Sequence, residues 1–112
     1  MRLLLKPFGL IRSGAKTIEI RLYDEKRRKI QVGDTITFRK LPEEEESITT
    51  EVEALYRCGT FEELYKSLSF EAFGCAGYSM EKMLSGTYEI YTPEQERKYG
   101  VLGIKIKLSG KD

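Results

Sequence analysis

The chain has 112 residues, of which 40% are hydrophobic and 33% charged, and its formal net charge is +1. These values indicate a single globular domain over residues 1–112 and exclude a collagen-like or disordered chain. No run of 18 apolar residues occurs and the apolar opening is too short for a signal peptide, so we expect a cytoplasmic protein without a membrane partner.

The absence of histidine restricts the chemistry. It excludes His-based metal sites, Ser-His-Asp triads and Cys-His dyads, and we expect neither a metal nor a cofactor. The two cysteines, Cys58 and Cys75, are expected to be unbridged, inert thiols in a reducing compartment. Any catalysis must therefore use Lys, Glu, Asp, Tyr, Thr, Ser or Cys side chains.

The first elements along the chain are short. Residues 3–5 are predicted to form a strand, and a helix follows in which Phe8 and Ile11 lie on one face. Pro7 suits the first turn of this helix, and Gly14 suits its C-terminal end.

The next predicted strand, over residues 16–23, has an unusual pattern. One face carries three apolar side chains: Ile18, Ile20 and Leu22. The other face carries four polar side chains: Thr17, Glu19, Arg21 and Tyr23. This polar row either lines a cleft for a planar, charged ligand or forms a salt-bridged surface. In the second alternative, Glu19 and Arg21 pair with neighbours. The candidates are Lys105 and Glu51.

A basic run follows the polar strand. It consists of Lys26, Arg27, Arg28 and Lys29. The compensating negative charge lies in a loop of four glutamates at residues 43–46, so a near-zero total charge conceals a basic patch of the kind that contacts phosphates. The alternative is a solvated turn. We expect Ile30 and Val32 to anchor this run to the core.

Three further strands are predicted at residues 35–38, 49–57 and 101–108. We expect Val52, Ala54 and Tyr56 to share one face of the middle strand, and Leu108 to point inward at the end of the last one. Helix N-caps are predicted at three positions: Thr60, Ser79 and Thr92.

These elements indicate an α+β, mainly β fold. We predict a small barrel of about five to six mostly antiparallel strands with three or four short flanking helices. The uneven spacing of the helices differs from the regular alternation that a doubly wound sheet requires.

The pattern Gly-x-Lys-x-x-Glu-x-Arg at residues 14–21 resembles the ASCH domain of the PUA-like superfamily. The resemblance continues through residues 32–38 and 99–104 and so spans essentially the whole chain, which is similar to small stand-alone members of the bacterial type. It implies a small β-barrel with a cleft beside the helix-to-strand junction, where family members bind RNA or nucleotides.

A subset with a similar fold hydrolyses acyl groups from modified cytidine nucleosides, and another has been described as a ribonuclease. In the amidohydrolase subset the motif reads Gly-x-Lys-Thr-Ile-Thr-Ile-Arg, with the lysine as base, the second threonine as nucleophile and a later glutamate assisting. Here Lys16 matches the lysine, Glu19 replaces the threonine, and only Glu81 suggests itself as the later glutamate. A metal-independent hydrolase that uses Lys16 and Glu19 is the alternative to a binding function.

Each motif residue has a physical role if the strand face lines a cleft. Arg21 offers a planar fork to a phosphate or a base edge, and Lys16 offers a compact charge. Glu19 accepts from an exocyclic amine, and Tyr23 stacks on a base. Strict alternation puts Lys16 on the apolar side, so the chain must bend at residues 14–15 for Lys16 to reach the cleft.

The predicted ligand is RNA, a nucleotide or a modified nucleoside. The predicted binding set combines the motif with the basic run: Lys16, Glu19, Arg21, Tyr23, Lys26, Arg27 and Arg28. A third hypothesis is an interaction module that binds an unknown protein partner through the acidic loop at residues 43–46 or through the edge of the terminal strand.

Overall fold

The computed structural model describes residues 1–109. The five strands are β1 (Arg2–Leu3), β2 (Ile18–Leu22), β3 (Thr35–Lys40), β4 (Ser47–Cys58) and β5 (Val101–Leu108). The four α-helices are α1 (Leu5–Arg12), α2 (Phe61–Ser67), α3 (Met80–Thr87) and α4 (Pro93–Tyr99). Two short 3-10 helices cover Arg27–Lys29 and Phe70–Ala72. Residues 110–112 of the predicted domain lie outside the described part.

The strands form one mixed sheet in the order β1-β3-β4-β5-β2. All neighbouring pairs are antiparallel except β1 with β3, which is parallel. The sheet curls into a half-barrel whose two edges are β1 and β2, and we call the gap between these edges the seam. The predicted α+β fold, with its strand number, mostly antiparallel pairing and short helices, is confirmed.

The sheet is buried on both faces, which creates two hydrophobic clusters. The first joins α1 to the sheet: Leu3, Phe8, Ile11, Ile36, Phe38, Ile48, Val52, Leu102, Ile104 and Ile106. The second joins α2 and α3 to the opposite face: Ile18, Leu22, Phe61, Leu64, Tyr65, Phe73, Met83 and Val101. Strand β5 therefore contributes to both clusters, as expected of a central strand. Close packing of α2 on this strand relies on Gly103, because a Cβ there would lie 3.0 Å from Leu64 Cδ1.

The predicted helix caps are present. The side chains of Thr60, Ser79 and Thr92 each accept a backbone N–H from the residue three positions later. Thr92 and Gln95 complete a reciprocal capping box, and Pro93 occupies the first turn of α4. Within residues 1–109, no helix combines the length and apolarity that a bilayer crossing requires.

Three side-chain predictions are wrong. A register shift between Val52 and Ala54 reverses the alternation of β4, so Leu55 packs against the first cluster and Tyr56 against the second. Val32 is 62% exposed and does not anchor the basic run, although Ile30 packs against the first cluster. Leu108 is 42% exposed because the last residues of β5 extend beyond the hydrophobic core.

Candidate functional site

Three charged side chains meet at β2, and we call them the charge cluster: Lys16, Glu19 and Arg21. Glu19 lies between the two cations and is only 4% exposed. Its Oε1 lies 2.9 Å from Lys16 Nζ, and its Oε2 accepts hydrogen bonds from Arg21 Nε at 3.1 Å and Nη2 at 2.8 Å. Each oxygen is therefore committed to one cation, and the cluster carries one net positive charge.

A bend after α1 brings Lys16 into this cluster. Gly14 has a φ of 84°, a left-handed conformation that glycine adopts without strain, and the Lys16 N–H donates to the Leu10 carbonyl at 3.0 Å. Lys16 then forms an isolated bridge with Phe73 instead of continuing β2. The expected bend is present, and because of it Lys16 contacts Glu19 despite strand alternation.

The environment of Glu19 keeps its carboxylate ionised. Burial raises the pKa of Glu19, but the charges and hydrogen bonds of Lys16 and Arg21 lower it by more, so the pKa falls below its ordinary value of 4.5. Glu19 is therefore a fixed anion whose oxygens already face donors. This arrangement suits a carboxylate that holds the two cations in position. A nucleophile needs an accessible lone pair, whereas both oxygens of Glu19 are already engaged by cations.

The charge cluster lines one side of a pocket of about 370 Å³ at the seam, which we call the seam pocket. Its walls come from the β1–α1 junction, from β2 and from α3 and the segments that flank it. Four aromatic side chains contribute to the lining: Tyr65, Phe73, Tyr78 and Tyr91. A pocket of this size with apolar walls and a few convergent polar groups is typical of a small-ligand site.

The free edge of β2 also faces the seam. The Thr17 carbonyl accepts from the Ile106 N–H at 2.9 Å, and the Tyr23 N–H donates to the Gly100 carbonyl at 2.9 Å. In an antiparallel pair, this places the hydrogen bonds to β5 on the odd-numbered residues of β2. The N–H and C=O of Ile20 therefore point away from β5 toward the seam pocket, which Ile20 lines, and they have no hydrogen-bond partner within residues 1–109.

Arg21 connects the two edges of the sheet. Besides its contacts with Glu19, its Nη2 donates to the Arg2 carbonyl in β1 at 3.2 Å. Arg21 therefore crosses the seam at the pocket and holds the opposed strands together. The alternative of a salt-bridged surface predicted ion pairs for Glu19 and Arg21, and these are present. The predicted partners, Lys105 and Glu51, are wrong, because Glu19 and Arg21 bind each other.

The remaining members of the predicted binding set lie elsewhere. Lys26 and Arg27 line a second pocket of about 460 Å³, together with Asp24, Glu25, Lys29 and Tyr99. Tyr23 does not line the seam pocket; its ring is covered by the guanidinium groups of Arg28 and Arg57, at 5.3 and 4.1 Å from the centroid. The structure thus brings Lys16, Glu19 and Arg21 together at the seam pocket, whereas the other four residues do not line it.

The structure also shows the positions of Glu81 and of the two cysteines. Glu81 is exposed on α3 and does not line the seam pocket, so it is not placed to assist Lys16. Cys58 and Cys75 are free, as predicted, and burial raises the pKa of both thiols, which lowers their reactivity. Cys75 is nevertheless part of the pocket lining.

Sequence reasoning missed the aromatic wall. Its members are spread over residues 65–91, where no single period places them on one surface. The signal that could have found it was the glycine-marked segment after α2, in which Gly74 and Gly77 adopt positive φ angles of 77° and 84°. A Cβ on Gly74 would lie 3.2 Å from Lys16 Cβ, so this turn packs directly against the charge cluster.

Comparisons with known proteins agree with this architecture. The sequence model of the ASCH domain matches residues 1–109. The chain is similar to the crystal structure of hypothetical protein PH0355, with a TM-score of 0.84 and 31% identity over 97% of this chain and 96% of that chain. It is also similar to the solution NMR structure of protein PF0455 from Pyrococcus furiosus, with a TM-score of 0.72 and 29% identity over 98% of this chain and 99% of that chain.

Both of these proteins are archaeal, so the expected likeness to bacterial-type members stays a prediction. A comparison with curated proteins finds no significant match.

Proposed function

Since the chain belongs to the ASCH domain family, we propose that its seam pocket binds a base of an RNA chain or of a nucleotide, with Lys16, Glu19 and Arg21 at the polar end. The family is PUA-like and of the RNA-binding kind. The observation that carries the proposal is a buried, hydrogen-bonded charge cluster on one side of a pocket with aromatic walls.

The aromatic wall supports a planar ligand. Tyr65 is fixed by a hydroxyl contact of 2.6 Å with Thr87 and by edge-to-face packing on Phe73 at 5.1 Å. Tyr91 stacks on Phe61 at 5.4 Å, which also fixes its ring. Tyr65 and Phe73 are only 5% and 3% exposed, so the half-buried rings of Tyr78 and Tyr91 are the ones available for base stacking, which contributes about 1–3 kcal/mol per base.

The polar end supports a ligand with both donors and acceptors. Arg21 and Lys16 present N–H donors, and the Ile20 backbone presents one donor and one acceptor toward the same space. The edges of nucleobases carry this combination of groups. A purely apolar ligand would leave these groups without partners, which would reduce its affinity.

The hydrolase alternative has less support. A general base must be unprotonated, whereas the Lys16 ammonium is engaged by Glu19 at 2.9 Å. Both oxygens of Glu19 are likewise engaged by cations. Incubation with an acylated cytidine, read by chromatography, checks this directly: turnover that disappears in Lys16→Ala would favour the hydrolase over simple binding.

A steric variant tests whether ligands enter the seam pocket. Gly86 lies on α3, lines the pocket, and has no atom within 4 Å of an added Cβ, so Gly86→Phe is expected to fill the space without disturbing the fold. Gly9 on α1 is equally open but does not line the pocket, which makes Gly9→Phe a matched control.

The readout is binding of ribonucleosides and short single-stranded RNA by calorimetry or fluorescence anisotropy. We expect Gly86→Phe to weaken binding at least tenfold and Gly9→Phe to leave it near wild type. Equal affinities for the two variants, or no binding by the wild type at millimolar nucleoside, would sink the assignment of the pocket.

The fork of Arg21 gives a second test. Arg21 already holds Glu19 through Nε and Nη2 and the Arg2 carbonyl through Nη2, which leaves Nη1 for a ligand. Because a lysine ammonium cannot hold Glu19 in this way and also reach the ligand, Arg21→Lys should weaken binding by about 1.5–3 kcal/mol, the contribution of one hydrogen bond to a charged group. Arg97→Lys, on the exposed surface of α4, is the control. Thermal melts must show that both variants are folded, since Arg21 also contacts the Arg2 carbonyl.

A further inference from the structure

A cluster of two arginines and one tyrosine lies outside the seam pocket. The guanidinium carbon of Arg57 lies 4.1 Å from the centroid of the Tyr23 ring, and that of Arg28 lies 5.3 Å from it. The Nε of Arg28 also donates to the Tyr23 carbonyl at 3.4 Å. We call these three residues the arginine–tyrosine cluster. Both guanidinium groups therefore lie within cation–π distance of the same ring.

Neither arginine of this cluster has a carboxylate partner. Within residues 1–109, no acidic oxygen lies within 4 Å of the guanidinium nitrogens of Arg28 or Arg57. Asp24, which directly follows Tyr23, is engaged by Arg27, through the Arg27 backbone N–H at 3.0 Å and the Arg27 Nη1 at 3.4 Å. The terminal amino groups of Arg28 and Arg57 therefore remain open to an anion from outside the molecule.

The sheet register places this cluster on the same face as the charge cluster. Arg57 of β4 lies opposite Leu102 of β5, and Leu102 lies opposite Arg21 of β2. Directly opposed residues project to the same face, so Arg57 and Arg21 do so across two strand spacings, or about 10 Å. Tyr23 shares this face with Arg21 and follows it by two positions, about 7 Å along β2.

We propose that the arginine–tyrosine cluster binds a backbone phosphate of the same nucleic-acid chain whose base enters the seam pocket. This inference rests on the proposed function. Arg28 and Arg57 supply the phosphate contacts, and Tyr23 fixes the two guanidinium groups instead of stacking on a base. The ligand class is therefore single-stranded RNA with at least one phosphate flanking the recognised base, rather than a free nucleoside.

The second pocket extends this path. Lys26, Arg27 and Lys29 follow Tyr23 closely in the chain and line that pocket together with Asp24 and Glu25. Three cations against two carboxylates leave a small excess of positive charge along the path of a chain that leaves the arginine–tyrosine cluster. Phosphate contacts of this kind carry no sequence information, whereas contacts with a base in the seam pocket do. In this proposal the arginine–tyrosine cluster and the second pocket position the RNA backbone, and the seam pocket recognises the base.

The test compares the affinity for a short single-stranded RNA with that for the best-binding ribonucleoside. The variant is Arg28→Ala with Arg57→Ala, and the matched control is Arg39→Ala with Arg97→Ala, which removes two exposed arginines outside both pockets. We expect the ratio of RNA to nucleoside affinity to fall about tenfold or more in the variant and less than twofold in the control. The logarithmic salt dependence of RNA binding should also fall by about 0.7 for each phosphate that the variant no longer neutralises.

An unchanged ratio in the variant would overturn the inference while leaving the proposed function intact, because the nucleoside would still bind the seam pocket. A wild type that binds neither ligand would instead refute the proposed function itself. If the double variant fails to fold, Arg57→Gln alone keeps the test open: it removes one charge from an exposed side chain, and the RNA ratio must still fall.

Discussion

Two glutamates in this protein each touch two cations, yet they lie in opposite environments. Glu19 contacts Lys16 and Arg21, and its side chain is 6% exposed. Glu46 contacts Arg12 at 3.1 Å and also Lys40, and its side chain is 45% exposed. The residue types are nearly the same, so the difference between the two clusters is mainly one of burial.

Burial reverses the energetic meaning of these contacts. Exposed ion pairs contribute little because water screens them and ordering long side chains costs entropy. A buried carboxylate loses its hydration, and its contacts with the cations must compensate for that loss. Removing one partner of such a cluster therefore lowers the free energy of unfolding much more than replacing the whole cluster with apolar residues would. Well-packed apolar residues would stabilise the same place at least as well. A buried cluster of this kind is therefore not explained by its contribution to stability alone.

Neutralising each glutamate in turn tests most directly whether burial distinguishes the two clusters. Glu19→Gln leaves two half-buried cations without a counter-charge and should lower the free energy of unfolding by about 3–5 kcal/mol. Glu46→Gln, the matched control, should not differ measurably from the wild type. Urea denaturation followed by circular dichroism measures both. Equal losses in the two variants would mean that burial does not separate the clusters.

The pH dependence sharpens the comparison. The pKa of Glu19 is lowered in the folded state, despite a burial contribution that raises it, because Lys16 and Arg21 favour the anion. Its contribution to stability is therefore complete above the unfolded-state pKa of about 4.5 and is lost as the pH falls through the lower folded-state value. The stability difference between wild type and Glu19→Gln should be constant from pH 7 to pH 5 and shrink below pH 4.5.

This pH profile has a built-in control. The pKa of Glu46 is also lowered, first by its hydrogen bonds with Lys40 and Arg12, but this side chain is open to solvent. By the same linkage, the difference between wild type and Glu46→Gln should also shrink below pH 4.5, but by far less than for Glu19, because solvent screens the exposed contacts. A Glu19→Gln difference that grows toward acid pH would contradict the direction of the pKa shift.

The sequence predicts features that depend on neighbouring residues better than features that depend on contacts between distant parts of the chain. Strands β2 to β5 and the caps at Thr60 and Thr92 follow from local patterns and are present. The first strand was predicted at residues 3–5 but is Arg2–Leu3, because α1 already begins at Leu5. The motif also predicted that Lys16, Glu19 and Arg21 would meet. What local patterns do not reveal is how deeply Glu19 is buried, because its burial depends on how α1 packs on one face of the sheet and α2 and α3 on the other.

The rest of the candidate site depends on long-range pairing. Arg57 reaches Tyr23 only because β4 and β5 pair in one particular register, and a register shift inside β4 itself escaped the alternation pattern. Charge alone also did not predict that Glu46 of the acidic loop pairs with Arg12 of α1 and Lys40 of β3, and the hypothesis that this loop binds a protein partner stays a prediction. Such pairings are set by tertiary packing rather than by neighbouring residues.

A third glutamate refines the comparison further. Glu96 is 6% exposed, like Glu19, but its described partners are hydrogen-bond donors without positive charge. Its Oε2 accepts the Phe61 N–H at 2.7 Å, and both of its oxygens accept from the Tyr88 hydroxyl, at 2.8 and 3.0 Å. Glu96 thereby joins α4 to the first turn of α2 and shows that a buried carboxylate here does not require a cation.

The smallest predicted effect concerns Tyr88. Burial and then the hydrogen bond to Glu96 raise the pKa of Tyr88 to about 12, from an ordinary value of 10.0. The neutral phenol is favoured in the folded state, so its contribution to stability is complete below pH 10 and is lost as the pH rises toward 12. Ultraviolet titration, with Tyr88→Phe as the reference that identifies the signal, should show this late ionisation. In Glu96→Gln the same tyrosine should ionise closer to pH 10, because an amide no longer repels the phenolate. An unchanged titration in Glu96→Gln would mean that burial alone sets the pKa of Tyr88, and that the carboxylate at Glu96 acts only on the backbone of α2.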